Sequence, residues 1–143
     1  FLQIEMTGGG FRGGIDPVYR NILLIRNDGS LLFEYETKSS GLQTWKKKLN
    51  RDSLNSLITY IESKNFFTFE KIYSCRSASC YKRLSGDPVP IALRLCITKG
   101  TMRKVVSIAI WDGKGREKAL IDYPAALDDI VRAIQLVADI SIK

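Results

Sequence analysis

Arg20-Asn21-Ile22-Leu23-Leu24-Ile25-Arg26, Asn27-Asp28-Gly29 and Ser30-Leu31-Leu32-Phe33-Glu34-Tyr35-Glu36-Thr37 run consecutively, two β-rich segments around a turn triplet. Such a triplet between β-rich runs is a strong hairpin signal. Its loop length sets the register. A two-residue Asp28-Gly29 loop places Leu24 opposite Phe33 and Ile22 opposite Tyr35. A three-residue loop places Leu23 opposite Phe33 and Ile25 opposite Leu31. One residue of slip exchanges the faces of the first strand. The second strand is unambiguous: Leu31, Phe33 and Tyr35 point one way, and Leu32, Glu34 and Glu36 the other. Asn27-Asp28 suits a type I turn, and Gly29 accepts the left-handed position of the bulge that follows it. The three-residue loop is therefore the expected one.

Outward from this hairpin, Leu2 to Thr7 alternates and reads as a strand. After Ser39-Ser40-Gly41, the segment 42–48 reads as an edge strand, whose Lys46-Lys47-Lys48 run discourages edge pairing. Asn50 is placed to cap a helix carrying Leu54, Leu57, Ile58 and Ile61 on one stripe, with Asn65 at its stop. Phe66, Phe67, Phe69 and Ile72 follow closely, and aromatics clustered like this close the end of a core. Ile91, Leu93, Leu95 and Ile97 alternate, as do Val106, Ile108 and Ile110. A two-residue Lys99-Gly100 loop pairs Leu93 with Val106 and Ile91 with Ile108, leaving Cys96 on the opposite face with Arg94 and Trp111. Pro124 suits the start of a helix whose stripe is Leu127, Ile130, Val131, Ile134, Val137 and Ala138. The tally is strands near 2–7, 19–26, 30–37, 42–48, 89–98 and 102–111, and helices near 51–64 and 124–139. The expected fold is α+β: a mostly antiparallel sheet of about six strands, two amphipathic helices on one face, and one domain over 1–143. Tyr73 to Pro88 carries neither periodicity and reads as an irregular connection.

The chain has 143 residues, no histidine and three cysteines. Without histidine there is no imidazole general base and no His-containing zinc site. Three cysteines exclude a four-cysteine zinc site within one chain, and nothing implies a metal or other cofactor. Gly8-x-Gly10-x-x-Gly13 follows a strand and formally matches a dinucleotide fingerprint. It leads into another β-rich run rather than a helix, so it reads as a loop, or as an anion-binding nest beside Arg12. Asp16, Glu34, Glu36, Asp87, Asp112 and Asp122 are the carboxylates an enzyme would have to use. The sequence brings no two of them together, and Glu34 and Glu36 read as the solvent face of a strand.

Lysine and arginine total 22 against 15 acidic residues, a formal charge of +7. That balance favours anionic partners such as nucleic acid, phospholipid head groups or acidic wall polymers, and the expected partner is an anionic polymer, a membrane surface or a protein. The candidate anion contacts are Arg12, Lys46, Lys47, Lys48, Arg103 and Lys104. A cytoplasmic nucleic-acid-binding domain would use Lys46, Lys47, Lys48, Arg51, Arg103 and Lys104 on phosphates, with Trp45 or Trp111 for stacking. Cys75 and Cys80 bracket four residues, close enough for a disulfide if the chain matures in an oxidising compartment, with Cys96 left as a free thiol. No apolar run approaches the ~20 residues that span a bilayer. A start at Phe1 rather than Met reads as the loss of an upstream segment, either a signal peptide or a trimmed start.

Pro17-Val18-Tyr19, Asp28-Gly29, Gly41, Phe66-Phe67, Tyr73, Asp87-Pro88 and Pro124 occur in an order that resembles a family of bacterial domains of unknown function, often found in exported proteins and lipoproteins. In that family a Cys-x-Gly-x-Cys-Pro-x-Tyr motif follows the opening strand. Here Gly8 to Asp16 stands where the cysteine pair would be, so no role tied to those cysteines carries over. The resemblance implies this fold and an extracytoplasmic location, and it implies no reaction. Together with the lack of a catalytic constellation, it favours a non-enzymatic binding or accessory domain.

Overall fold

The computed structural model describes residues 1–8, 18–75, 77–84, 92–111 and 121–140, the side chains of 83 and 84 excepted. The elements are β1 (Leu2–Gly8), β2 (Val18–Arg26), β3 (Ser30–Thr37), β4 (Gly41–Lys48), α1 (Arg51–Ser63), β5 (Ile72–Tyr73), α2 (Ala78–Leu84), β6 (Leu93–Lys99), β7 (Met102–Ile108) and α3 (Ala125–Ala138). A 3-10 turn, Phe66–Thr68, lies between α1 and β5. The protein is α+β. Its seven strands form one sheet in the order β4-β3-β2-β1-β6-β7-β5. Every pairing is antiparallel except β5 with β7.

The deciding hairpin has the three-residue loop. Leu23 pairs with Phe33 and Ile25 with Leu31. The Gly29 N–H donates to the Arg26 carbonyl at 2.9 Å, and the Ser30 N–H to Asp28 Oδ1 at 2.9 Å. Gly29 has φ +87°. Leu31, Phe33 and Tyr35 are buried together with Leu23 and Ile25. Ile4 and Met6 of β1, Leu93, Leu95 and Ile97 of β6, and Val106 and Ile108 of β7 continue the same apolar layer.

Leu54, Leu57, Ile58 and Ile61 of α1 and Leu127, Ile130, Val131 and Ile134 of α3 close over that layer in one core cluster. Each such side chain contributes about 1.5–3 kcal/mol on burial, which is what holds both helices on one face. Asn50 Oδ1 accepts from the Ser53 N–H at 2.7 Å, capping α1 as expected. Asn65, just beyond α1, takes the left-handed conformation with φ 60°.

Three expectations change. The β6–β7 loop is Gly100-Thr101, so Leu95 pairs with Val106 and Leu93 with Ile108, two residues from the expected register. A slip of two keeps every side chain on its face, so the apolar rows still share one side. Trp111 does not join Cys96 and Arg94. It packs into the core against Tyr123, ring centroids 5.4 Å apart. Tyr73 to Pro88 is not wholly irregular. Tyr73 belongs to β5, and residues 78–84 form α2. Ser77 starts that helix: its Oγ accepts from the Cys80 N–H at 3.2 Å and its carbonyl from the Tyr81 N–H at 3.2 Å. Seven residues are too few to display a helical apolar stripe, and two are too few to display alternation. The glycine loop 9–14, Ile91 and its pairing, and the loop 112–116 lie outside the described residues.

Candidate binding cleft

The lysine run does not act as a unit. β4 is an edge strand, and alternation sends Lys46 and Lys48 to the face away from the helices and Lys47 to the helix side. Lys47 Nζ donates to the carbonyls of Ala138 and Asp139, at 2.8 and 2.6 Å. These are terminal carbonyls at the negative end of α3, so Lys47 caps a helix and is not a free anion contact. Lys48 lies 3.7 Å from Asp28. Arg103 and Lys104 are adjacent on β7 and point to opposite faces. β7 is five positions from β4 in the sheet, which at ~4.8 Å per strand separates the two groups by about 24 Å. Arg12 lies outside the described residues. Trp45 is partly buried and packs against Phe33 at 5.2 Å, and Trp111 is in the core.

Three of the candidate carboxylates, Glu34, Glu36 and Asp122, are among the described residues. Glu34 and Glu36 share the outer face of β3, and Glu34 is held by Arg20 at 3.2 Å. Asp122 is exposed ahead of α3. Asp16, Asp87 and Asp112 lie outside the described residues. The Ser30 hydrogen bonds, side chain first and then backbone, lower the pKa of Asp28, with Lys48 adding to the effect. The hydrogen bond to Asp129 raises that of Lys64, which also lies over the Tyr60 ring at 5.3 Å. Both belong to surface structure, a turn and a helix–helix pair. Among the described residues no group of three acidic or cysteine side chains is placed to hold a metal ion.

Cys75 and Cys80 form a disulfide with Cα atoms 5.5 Å apart, and Cys96 is a buried free thiol. Both bridged cysteines belong to the core cluster. The bridge fixes the start of α2 to the chain leaving β5. It thereby anchors the connection at the sheet edge where β5 joins β7 through Ser107 N–H to Lys71 carbonyl, 2.8 Å.

A cleft of about 690 Å³ opens where α1 passes over one end of the sheet. Asn55, Ile58, Thr59 and Glu62 form the α1 wall. Phe1 and Leu2 at the start of β1, Asn27 of the deciding turn and Lys99 to Met102 of the β6–β7 turn form the rest. The Gly100 N–H donates to the Phe1 carbonyl at 2.7 Å, joining two of these segments. Lys99 Nζ meets Glu62 Oε1 at 2.6 Å. These two are the ionisable side chains among the described lining residues, and they neutralise each other. Phe1 and Met102 remain 72% and 48% exposed at the rim. Sequence reasoning missed this site. Asn55, Thr59 and Glu62 recur at helical spacing and announce a polar stripe, but nothing local tells that the β6–β7 turn lies opposite it.

The chain matches no protein-family model and no curated protein sequence. No helix among the described residues is long and apolar enough to cross a membrane. The disulfide suggests an oxidising setting.

Proposed function

We propose that this chain is a non-enzymatic binding or accessory domain that works outside the cytoplasm. The observation that carries the reading is the Cys75–Cys80 bridge. Disulfides persist in exported proteins, whereas cytosolic thiol pools keep cysteines reduced. The similarity of its motif order to domains of exported proteins and lipoproteins supports the same location. Anionic partners remain suited to the exposed cations Lys46, Lys48 and Arg103, which act as separate surface charges. A nucleic-acid platform has weaker support, because Lys47 is engaged by α3 and Trp111 is packed in the core.

Thiol counting tests the reading on protein recovered from its native compartment, denatured without reductant. One reactive thiol, from Cys96, is expected. Three reactive thiols would overturn the extracytoplasmic assignment.

A further inference from the structure

The cleft beneath α1 combines three properties that together select a ligand class. Its two ionisable side chains, Lys99 and Glu62, pair at 2.6 Å. A charged ligand would have to compete with that pair for either member. It is rich in groups that hydrogen-bond without net charge: the amides of Asn27 and Asn55 and the hydroxyls of Thr59 and Thr101. A purely apolar ligand would strip water from these groups without replacing its hydrogen bonds. It also presents apolar surface at the rim, from Phe1 and Met102, with Leu2 and Ile58 behind. About 690 Å³ lies within the ~300–1,000 Å³ range of small-ligand sites.

We propose that this cleft binds a neutral saccharide, either a free sugar or one end of a glycan. A sugar ring is uncharged and each hydroxyl both donates and accepts. Its C–H face is apolar and suits contact with the apolar rim at Met102 and Leu2. Asn55 and Thr59 approach from α1, Asn27 and Thr101 from the two turns, and the Lys99–Glu62 pair supplies one donor side and one acceptor side without net charge. The proposal rests on the binding-domain reading above and names the ligand class for it.

The test uses the full, disulfide-intact chain labelled with ¹⁵N. It is titrated with a panel of neutral oligosaccharides built from glucose, galactose, mannose and N-acetylhexosamine. A uronic-acid oligomer and an uncharged capped tripeptide run alongside. Amide shifts confined to Asn55, Thr59, Glu62 and Lys99 to Thr101 with a neutral sugar support the site. Asn55→Ala combined with Thr59→Val, both exposed on α1, should weaken binding by about tenfold, the effect of losing about 1.4 kcal/mol of hydrogen bonding. Thr101→Val probes the opposite wall and should weaken it in the same direction. No shift with any neutral sugar, or affinity unchanged in both variants, overturns the proposal. So does tighter binding of the uronic-acid oligomer. Tighter binding of the tripeptide at the same residues overturns the ligand class and leaves a binding domain standing. The thiol count is independent of all these outcomes, so failure of the ligand class and failure of the location are read separately.

Discussion

Gly29→Ala separates backbone conformation from close packing, because the chain supplies its own controls. Gly29, Gly41 and Gly100 all have positive φ, at +87°, +68° and +61°. A Cβ at Gly41 or Gly100 meets nothing within 4 Å, so alanine there carries only the left-handed penalty, about 1–2 kcal/mol. At Gly29 the new Cβ would clash with the Leu49 carbonyl oxygen, a backbone atom that no rotamer change can move. Leu49 is also tied to the turn, its N–H donating to the Gly29 carbonyl at 2.8 Å. Relieving the clash therefore pulls the β4–α1 connection away and breaks that bond. Adding about 2 kcal/mol for overpacking and the lost bond brings Gly29→Ala to about 3–4 kcal/mol. At 2–4 °C per kcal/mol for a domain of this size, the melting temperature falls by roughly 6–16 °C, against about 2–8 °C for Gly41→Ala or Gly100→Ala. Urea and thermal unfolding of the three variants, followed by far-UV circular dichroism, make the comparison. If Gly29→Ala is no less stable than Gly41→Ala, the close approach of the hairpin to Leu49 is refuted and only the turn conformation remains.

Lys47→Met keeps the aliphatic stem and removes the ammonium that meets the Ala138 and Asp139 carbonyls, so urea unfolding should register a loss of about 1–2 kcal/mol. Lys46→Met and Lys48→Met, on the outer face, should stay within about 0.5 kcal/mol of the parent. Replacing Cys75 and Cys80 together by alanine opens a short loop and should cost about 2 kcal/mol; a calorimetric melting temperature unchanged in the absence of reductant would contradict the bridge. The pKa of Asp28 is lowered in the folded chain, so its contribution is present above the ordinary aspartate value of 3.8 and is lost as pH falls through the folded value. Asp28→Ala should accordingly lower the urea midpoint at neutral pH, and the gap from the parent should narrow once the solution is acidified below that range.

Much of the fold is legible because its signals are local. The Asn27-Asp28-Gly29 triplet selects a loop length, and loop length selects which face Leu23 and Ile25 occupy. Asn50 finds its partner three residues away, and the α1 stripe repeats within one helix. The β6–β7 register lies two residues from the one a Lys99-Gly100 loop implies, yet the faces are the same because side chains alternate with period two. β5 and α2 carry no local signal because their ordering comes from outside: β5 is held by β7, more than thirty residues on, and α2 by the disulfide and the Ser77 cap.

The sequence by itself determined the class of every element but β5 and α2, the inward face of the longer strands and the proximity of Cys75 to Cys80, since all are set by neighbours along the chain. Only the tertiary structure decided which side chains share a surface. Lys46, Lys47 and Lys48 are consecutive, yet the pleat sends the middle one to a helix end 91 residues away and leaves the others on the opposite face. Arg103 and Lys104 look like partners of that run, and the strand order places them five strands away. Glu62 and Lys99 are 37 residues apart and carry no common motif, yet α1 and the β6–β7 turn bring their charges to 2.6 Å. Alternation and turn chemistry act over a few residues, whereas a site is assembled by strand order and helix docking, which depend on burying the whole apolar layer at once.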